Sequence, residues 1–304
     1  MIDKNKLAFN AFWWENLQSE DSIMEVVDIL ARLGYKGVEW KETCFSTEEC
    51  IEKKLKSAVK ISNEAGLEVP AAVILRSFSD PSSAQKSVEE VGRFIHYCAE
   101  AGITKVNLPS GGPLPKQKIS DDWWAPALYP ASKAWDTLQS SLEILSSIAC
   151  DCGVFLVLES VAGHLVHDYF TTSELLRKVD SLNLCITMDP SHYQLYSNDV
   201  PWVIRQFGKE KIKHVHLKDV IGRPGEIGED FIFPLLGEGA IDWNGFFGAL
   251  DEIEYEGYLS VEFESWKYMN DILNNNAIEA ARISLQAANA LIDRYNSKLN
   301  RGGC

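Results

Sequence analysis

The sequence predicts a single (β/α)8 barrel spanning residues 1–304. Three observations carry this. Eight short apolar runs alternate with longer amphipathic runs, and strict alternation of this kind yields a parallel sheet. The count of eight favours closure of that sheet on itself. The length, 304 residues, is long for an average domain and normal for one such barrel. An open doubly wound sheet is the competing arrangement. No GxGxxG follows the first apolar run, so the dinucleotide-binding form of that sheet lacks its mark.

The expected strands, in order, are 6–12 (KLAFNAF), 35–40 (YKGVEW), 68–75 (EVPAAVIL), 103–109 (ITKVNLP), 154–160 (VFLVLES), 184–190 (LCITMDP), 212–219 (IKHVHLKD) and 258–264 (YLSVEFE). The runs between them read as helices. SIMEVVDILARLG spaces its apolar residues for a helix and stops at Gly34, a C-cap signal. The next helix opens with a Ser46-x-x-Glu49 capping box and stops at Gly66. Two more stop at Gly102 and Gly153, and the last runs through NAIEAARISLQAANALIDRYNSKL. Two connections are long, 109–132 and 220–240. Long βα loops build the mouth of a barrel.

Composition excludes several classes. Apolar residues make up 46% and charged residues 24%, the balance of an ordinary soluble globular chain. No apolar run reaches about 18 residues, so no membrane span is expected. The start, MIDKNKLAFNAFWW, lacks a signal-peptide h-region, and a cytoplasmic location is expected. Seven cysteines at 44, 50, 98, 150, 152, 185 and 304 are odd in number and scattered, which fits reduced thiols. Cys150 and Cys152 form a C-x-C pair with no second pair to complete a zinc site, so a structural role is expected. The net charge of −15 with no basic cluster disfavours nucleic acid and anionic membranes as partners. A homo-oligomer remains open.

Barrel chemistry sits at the C-terminal ends of the strands. The fifth strand ends in Glu159. The sixth ends in Asp189, with His192 three residues on. The seventh offers His214, His216 and Lys218 on one face, since side chains alternate along a strand. The eighth offers Glu262 and Glu264. Each has an ordinary reading by itself: a rim carboxylate for Glu159 or Glu264, a turn aspartate before proline for Asp189, a helix cap for His192, a packed core histidine for His214. The coincidence at four successive strand ends points to a metal. Clustered carboxylates repel one another, and a divalent cation removes that repulsion.

The ordered set LES (158–160), MDPSH (188–192), HVHLKD (214–219), GEG (237–239) and YLSVEFE (258–264) resembles the sugar phosphate isomerase/epimerase family, the xylose-isomerase-like TIM barrels. In the first half only GYKGVEW (34–40) is similar, to the family's second strand. The resemblance implies that Glu159, Asp189, His216 and Glu262 bind one divalent metal ion. It also implies that His192 contacts a substrate oxygen, as in the ketose 3-epimerase branch. That branch carries a substrate-binding arginine six residues past the metal histidine. Here position 222 is glycine and Arg223 follows it. Lys218-Asp219 instead looks like the HxKD pattern of inosose dehydratase.

These residues set the expectations. His216 holds the metal, Lys218 and His192 face the substrate, and Arg223 is a further candidate contact. His214 lies deeper and supports the site, and Asp219 points the other way and pins the loop. Three carboxylates and an imidazole favour Mn²⁺ or Mg²⁺, with Co²⁺ and Zn²⁺ compatible. Glu159 or Glu262 is the expected base for a carbon-bound proton beside a carbonyl, giving an enediolate. Nine tryptophans are many for this length. Trp13, Trp14, Trp40, Trp123, Trp124 and Trp266 follow strands or sit in the long fourth loop, where a ring face suits the C–H face of a sugar. Trp14 is the candidate substrate contact, and Trp135 and Trp202 are expected in the core. PSGGP at 109–113 is too short to mark a phosphate cradle. The expected partner is a small sugar or polyol, and the expected activity is a metal-dependent isomerase or epimerase. A lyase on an inosose-like or oxidised-sugar substrate, and a non-catalytic carbohydrate-binding barrel, are the alternatives. A DNA-repair endonuclease shares the barrel but needs more metal-binding histidines and a basic groove, against six histidines and net −15 here.

Overall fold

A computed structural model describes residues 1–45, 48–112, 118–120, 123–124 and 129–302, with side chains described outside 46–50, 113–128 and 301–304. Eight parallel strands close into a barrel in chain order: β1 (Leu7–Asn10), β2 (Gly37–Lys41), β3 (Ala72–Val73), β4 (Lys105–Pro109), β5 (Phe155–Glu159), β6 (Leu184–Met188), β7 (Ile212–Leu217) and β8 (Leu259–Val261). β8 pairs back onto β1 with Leu259 opposite Leu7. All eight expected strands form.

Ten helices lie among the described residues: α1 (Glu20–Leu33), α2 (Glu48–Glu64), α3 (Ala84–Ala101), α4 (Ala131–Cys152), α5 (Tyr169–Val179), α6 (Pro190–Leu195), α7 (Val200–Lys211), α8 (Trp243–Glu252), α9 (Trp266–Asp271) and α10 (Ala277–Gly302). α1 buries Ile23, Val26, Val27 and Leu30, the spacing of one helix face. Gly102 and Gly153 end α3 and α4 with φ of +85° and +67°, a left-handed cap that glycine adopts without strain. The capping box expected at Ser46 and Glu49 lies outside the described side chains.

Every strand is shorter than its expected run, and β3 and β8 are shortened most. β3 keeps two residues of the expected eight, because Pro70 has no N–H to give the ladder. β8 stops at Val261, where Glu264 N–H turns back to Glu262 C=O. That turn leaves Glu262 and Glu264 just past the ladder, at the mouth.

The outward strand faces carry Phe9, Val38, Trp40, Val106 and Val215, all fully buried under the helices. The inward faces are polar. Asn10, Glu39, Asn107, Thr187, His214, His216 and Ser260 are each at most 1% exposed. Buried polar groups at this density must satisfy one another or a ligand. Trp40 belongs to the core and not the mouth, with its indole N–H donating to Ser62 Oγ at 3.2 Å. Trp135 packs half-buried against the core. Trp202, expected inside, is 40% exposed, stacked edge-on against Tyr169. Trp123 and Trp124 lie in a short hairpin with 118–120, outside the described side chains.

Candidate metal centre

Period-2 alternation puts His214, His216 and Lys218 on the inward face of β7, stepping up toward the C-terminal mouth. Four neighbouring strand ends converge there. Glu159, Asp189, His216 and Glu262 each bring a ligand atom, and these atoms lie within 4.8 Å of one another. Donors about 2.1–2.2 Å from one ion sit at most about 4.4 Å apart, so a contraction of a few tenths of an ångström would gather them around it. His216 Nδ1 is 3.3 Å from Glu159 Oε1 and 3.2 Å from Glu262 Oε2. Asp189 Oδ1 accepts from Ser191 N–H and Oγ–H at 2.8 and 2.6 Å, while its Oδ2 is buried with no hydrogen bond. That oxygen, ion-paired with the Lys218 ammonium at 2.9 Å, lies among three other ligand atoms, a donor set that fits a divalent ion.

Glu39 on β2, with His214 and His216, makes a second group of metal-competent side chains. This group lies deeper, has one carboxylate, and is not part of the lining of the cavity at the mouth. Its geometry is that of support. His216 Nε2 lies 3.1 Å from Glu39 Oε2, His214 Nε2 lies 3.1 Å from Glu39 Oε1, and Ser260 Oγ donates to Glu39 Oε2 at 2.6 Å. A carboxylate on the far nitrogen of a ligating histidine fixes the ring and raises its basicity. Burial opposes charge on His216, yet Glu39, Glu262 and Glu159 together hold its pKa well above the ordinary value. A cation at Nδ1 displaces that proton. Asn107 orients Glu159 in a similar way, its Nδ2 donating to Glu159 Oε2 at 3.0 Å while Thr187 Oγ1 donates to Asn107 Oδ1 at 2.9 Å.

Glu39 stood in the sequence as a charge between Val38 and Trp40. The detectable signal was its inward register between the apolar Val38 and Trp40.

Lys218 threads the same cluster. Its Nζ is 2.9 Å from Asp189 Oδ2, 2.6 Å from Glu262 Oε2 and 3.0 Å from Glu264 Oε2. Burial alone would raise Glu262, but Lys218 and His216 outweigh it and hold that carboxylate well below the usual range. Burial, with Glu262 adding, lifts Glu159 to about 7. Burial and Glu262 also raise Glu264, against the pull of Lys218. His192, on α6, has its Nε2 3.9 Å from Glu159 Oε1 and 3.8 Å from Asp189 Oδ2. Burial, then Lys218, push its pKa down to about 3, so the ring stays neutral and can give or take a hydrogen bond.

Asp219 pins the loop from the other face of β7. Its carboxylate accepts from the N–H groups of Gly237, Gly239, Ile241 and its neighbour Val220, and from the indole of Trp243. Gly239 is required, because a Cβ there would run into Asp219 Oδ1. The pinned loop brings Phe233 over the site, 4.8 Å from Lys218 Nζ and 5.6 Å from the His192 ring. The GEG stretch is therefore part of the support of Lys218.

A cavity of about 590 Å³ opens above the cluster, within the usual range for a small-molecule site. Glu159, Glu262, His192 and Lys218 line it, as do Asn10, Lys41 and His164, whose roles the sequence did not single out. Two candidates lie elsewhere. The Arg223 side chain is 82% exposed and paired with Asp230 in the 221–232 hairpin, and does not line the cavity. Trp14 packs edge-on against Phe9, because Trp14 N–H bonds Ala11 C=O and the turn carries its ring over the outer layer. Phe12 and Tyr129 reach the cavity, with Trp13 and Trp266 packed against Phe12.

The chain matches the xylose isomerase-like TIM barrel family over residues 27–289. It belongs to that family. A curated relative, the inosose dehydratase of Clostridium botulinum, is 24% identical over 286 residues, covering 86% of this chain and 90% of the relative. Among solved structures, the IOLI protein with a bound zinc atom superimposes with a TM-score of 0.74 at 21% identity, over 95% of this chain and 99% of its own. L-ribulose 3-epimerase gives 0.73 at 19% identity, over 98% of both chains. No described helix is long and apolar enough to cross a membrane.

Proposed function

We propose that the chain is a divalent-metal-dependent lyase that dehydrates a keto-polyol, with Glu159, Asp189, His216 and Glu262 holding Mn²⁺ or Mg²⁺. The observation that carries the lyase reading is the Lys218 ammonium set among Asp189, Glu262 and Glu264, while Arg223, the nearest arginine past the metal histidine, turns to solvent. The inosose dehydratase relative, similar over most of the chain, supports the same choice. The isomerase or epimerase expected first from the sequence becomes the second reading. Glu159 and Glu262, facing the cavity from β5 and the end of β8, favour it, since two carboxylates can exchange a proton with two faces of one carbon.

The bound metal supplies Lewis acidity to the substrate carbonyl. Glu159, which faces the cavity from the end of β5, is placed to take the proton from the carbon beside that carbonyl. Lys218 faces the enediolate charge from within the cavity wall. Glu264, which lines the cavity beside Lys218, is placed to pass a proton to the departing β-hydroxyl, which leaves as water. His192 holds a substrate hydroxyl from the opposite side.

Incubation of Mn²⁺-loaded protein with a panel of inososes and ketoses tests this. Dehydration produces an enone and a gain in ultraviolet absorbance. A new sugar on chromatography with no absorbance change supports the epimerase reading instead. Binding without turnover of any member would favour a non-catalytic barrel.

A further inference from the structure

Three side-chain cations, Lys41, Arg76 and Lys218, line the cavity among the described residues. Two are matched. Lys218 faces three carboxylates. Arg76 is forked between Glu42 and Glu90, and a third contact goes to Leu75 C=O. Lys41 is different. It is 7% exposed, and no described carboxylate or carbonyl pairs with its ammonium, which sits 4.2 Å from the centroid of the Phe12 ring. An aromatic face offsets only part of the cost of taking an ammonium out of water. Three N–H donors are left for whatever fills the cavity.

Its position is set by the strand. Lys41 shares the inward register of Glu39 and lies two residues nearer the mouth, about 6.6 Å along β2. Glu39 faces His216 from beneath the metal layer, and the step from Glu39 to Lys41 leads out of that deeper level into the wall of the cavity. Two more groups in the same wall are unpartnered: Asn10 Oδ1 and His164 Nδ1 are buried without a hydrogen bond. These accept hydroxyl protons. Burial, then His167, push the His164 pKa down to about 4, consistent with a neutral ring there.

We propose that the substrate carries a carboxylate and that Lys41 binds it, making the ligand class a polyhydroxylated keto acid. This rests on the keto-polyol reading and narrows it. A neutral hydroxyl would be served by a serine or asparagine without burying a charge. A phosphate dianion is served by several donors at once, as at a helix N-terminus or an open arginine fork, and the Arg76 fork is occupied. One ammonium matches one carboxylate. The chain as a whole is at −15, so an anionic ligand needs such a local cation to enter.

Calorimetric titration of the Mn²⁺-loaded full chain with quinate, a cyclic polyhydroxy carboxylate, and with neutral myo-inositol tests this. Quinate should bind at least about tenfold more tightly. Lys41→Met should bring the ratio to within about twofold by weakening quinate far more than inositol, with metal content and thermal midpoint as controls for folding. Equal affinities in the unmodified protein, no measurable quinate binding, or a preference that survives Lys41→Met would overturn the proposal. So would inorganic phosphate binding more tightly than quinate through Lys41. The unmodified protein gives the decisive ratio even if the variant fails to fold. A Lys41-dependent quinate preference without any turnover would sink the lyase reading alone. Fast turnover of a neutral inosose with no quinate preference would sink this inference alone.

Discussion

Glu39 Oε2 lies 3.1 Å from His216 Nε2, on the side of the ring opposite Glu159 and Glu262. The imidazole is therefore held between a buried carboxylate below and the candidate metal ligands Glu159 and Glu262 above. Glu39→Gln keeps the shape and removes the charge. Metal affinity should fall by about tenfold to hundredfold, with the circular dichroism spectrum unchanged. Metal titration by calorimetry checks this, and an unchanged affinity would show that Glu39 only fills space.

Asp219 gathers five N–H donors onto one buried carboxylate. Asp219→Ala leaves several of them unsatisfied and should cost about 3 kcal/mol or more of stability. The loss should show as a lower denaturation midpoint. Hydrogen exchange should accelerate first around 233–241, the loop that carries Phe233 over Lys218. Uniform destabilisation with no local signature would argue against the pinning role.

His192 touches the cluster only at 3.8 and 3.9 Å, beyond hydrogen-bond distance. His192→Ala should lower kcat by about a hundredfold, a general acid–base or positioning effect, and leave metal content at the level of the unmodified protein. Equal loss of metal would make it a ligand.

His164 is pushed down to about 4, chiefly by burial, against about 6.5 in an unfolded chain. The folded pKa is depressed, so the unfolded chain binds the proton first. Stability is full above about 6.5 and falls as pH drops toward 4, by roughly 3 kcal/mol at most from this group. His164→Gln should flatten the acid limb of a denaturant-midpoint profile between those values. An identical limb in the variant would assign it to other groups.

The eight strands were legible because apolar runs and glycine stops recur with the period of the fold. The cluster proposed as a metal set was legible because strand ends carry chemistry in this barrel, and Glu159, Asp189, His216 and Glu262 fall at four such ends in succession. Glu39 was hidden for a physical reason: it sits mid-strand, and its partners lie about 175 residues away. Lys41 and His164 were hidden because register and loop path decide which side chains reach a cavity. Arg223 and Trp14 show the converse. Both stand close in sequence to site residues, and local turns carry them away from the cavity.

The most direct measurement is the metal content of the purified protein and of Glu262→Gln after incubation with Mn²⁺ and desalting, alongside turnover of the best substrate. The unmodified chain should retain about one ion per chain, and the variant should retain its fold while losing the ion, turnover, or both. Full metal content together with full activity in Glu262→Gln would contradict the four-residue centre on which the account stands.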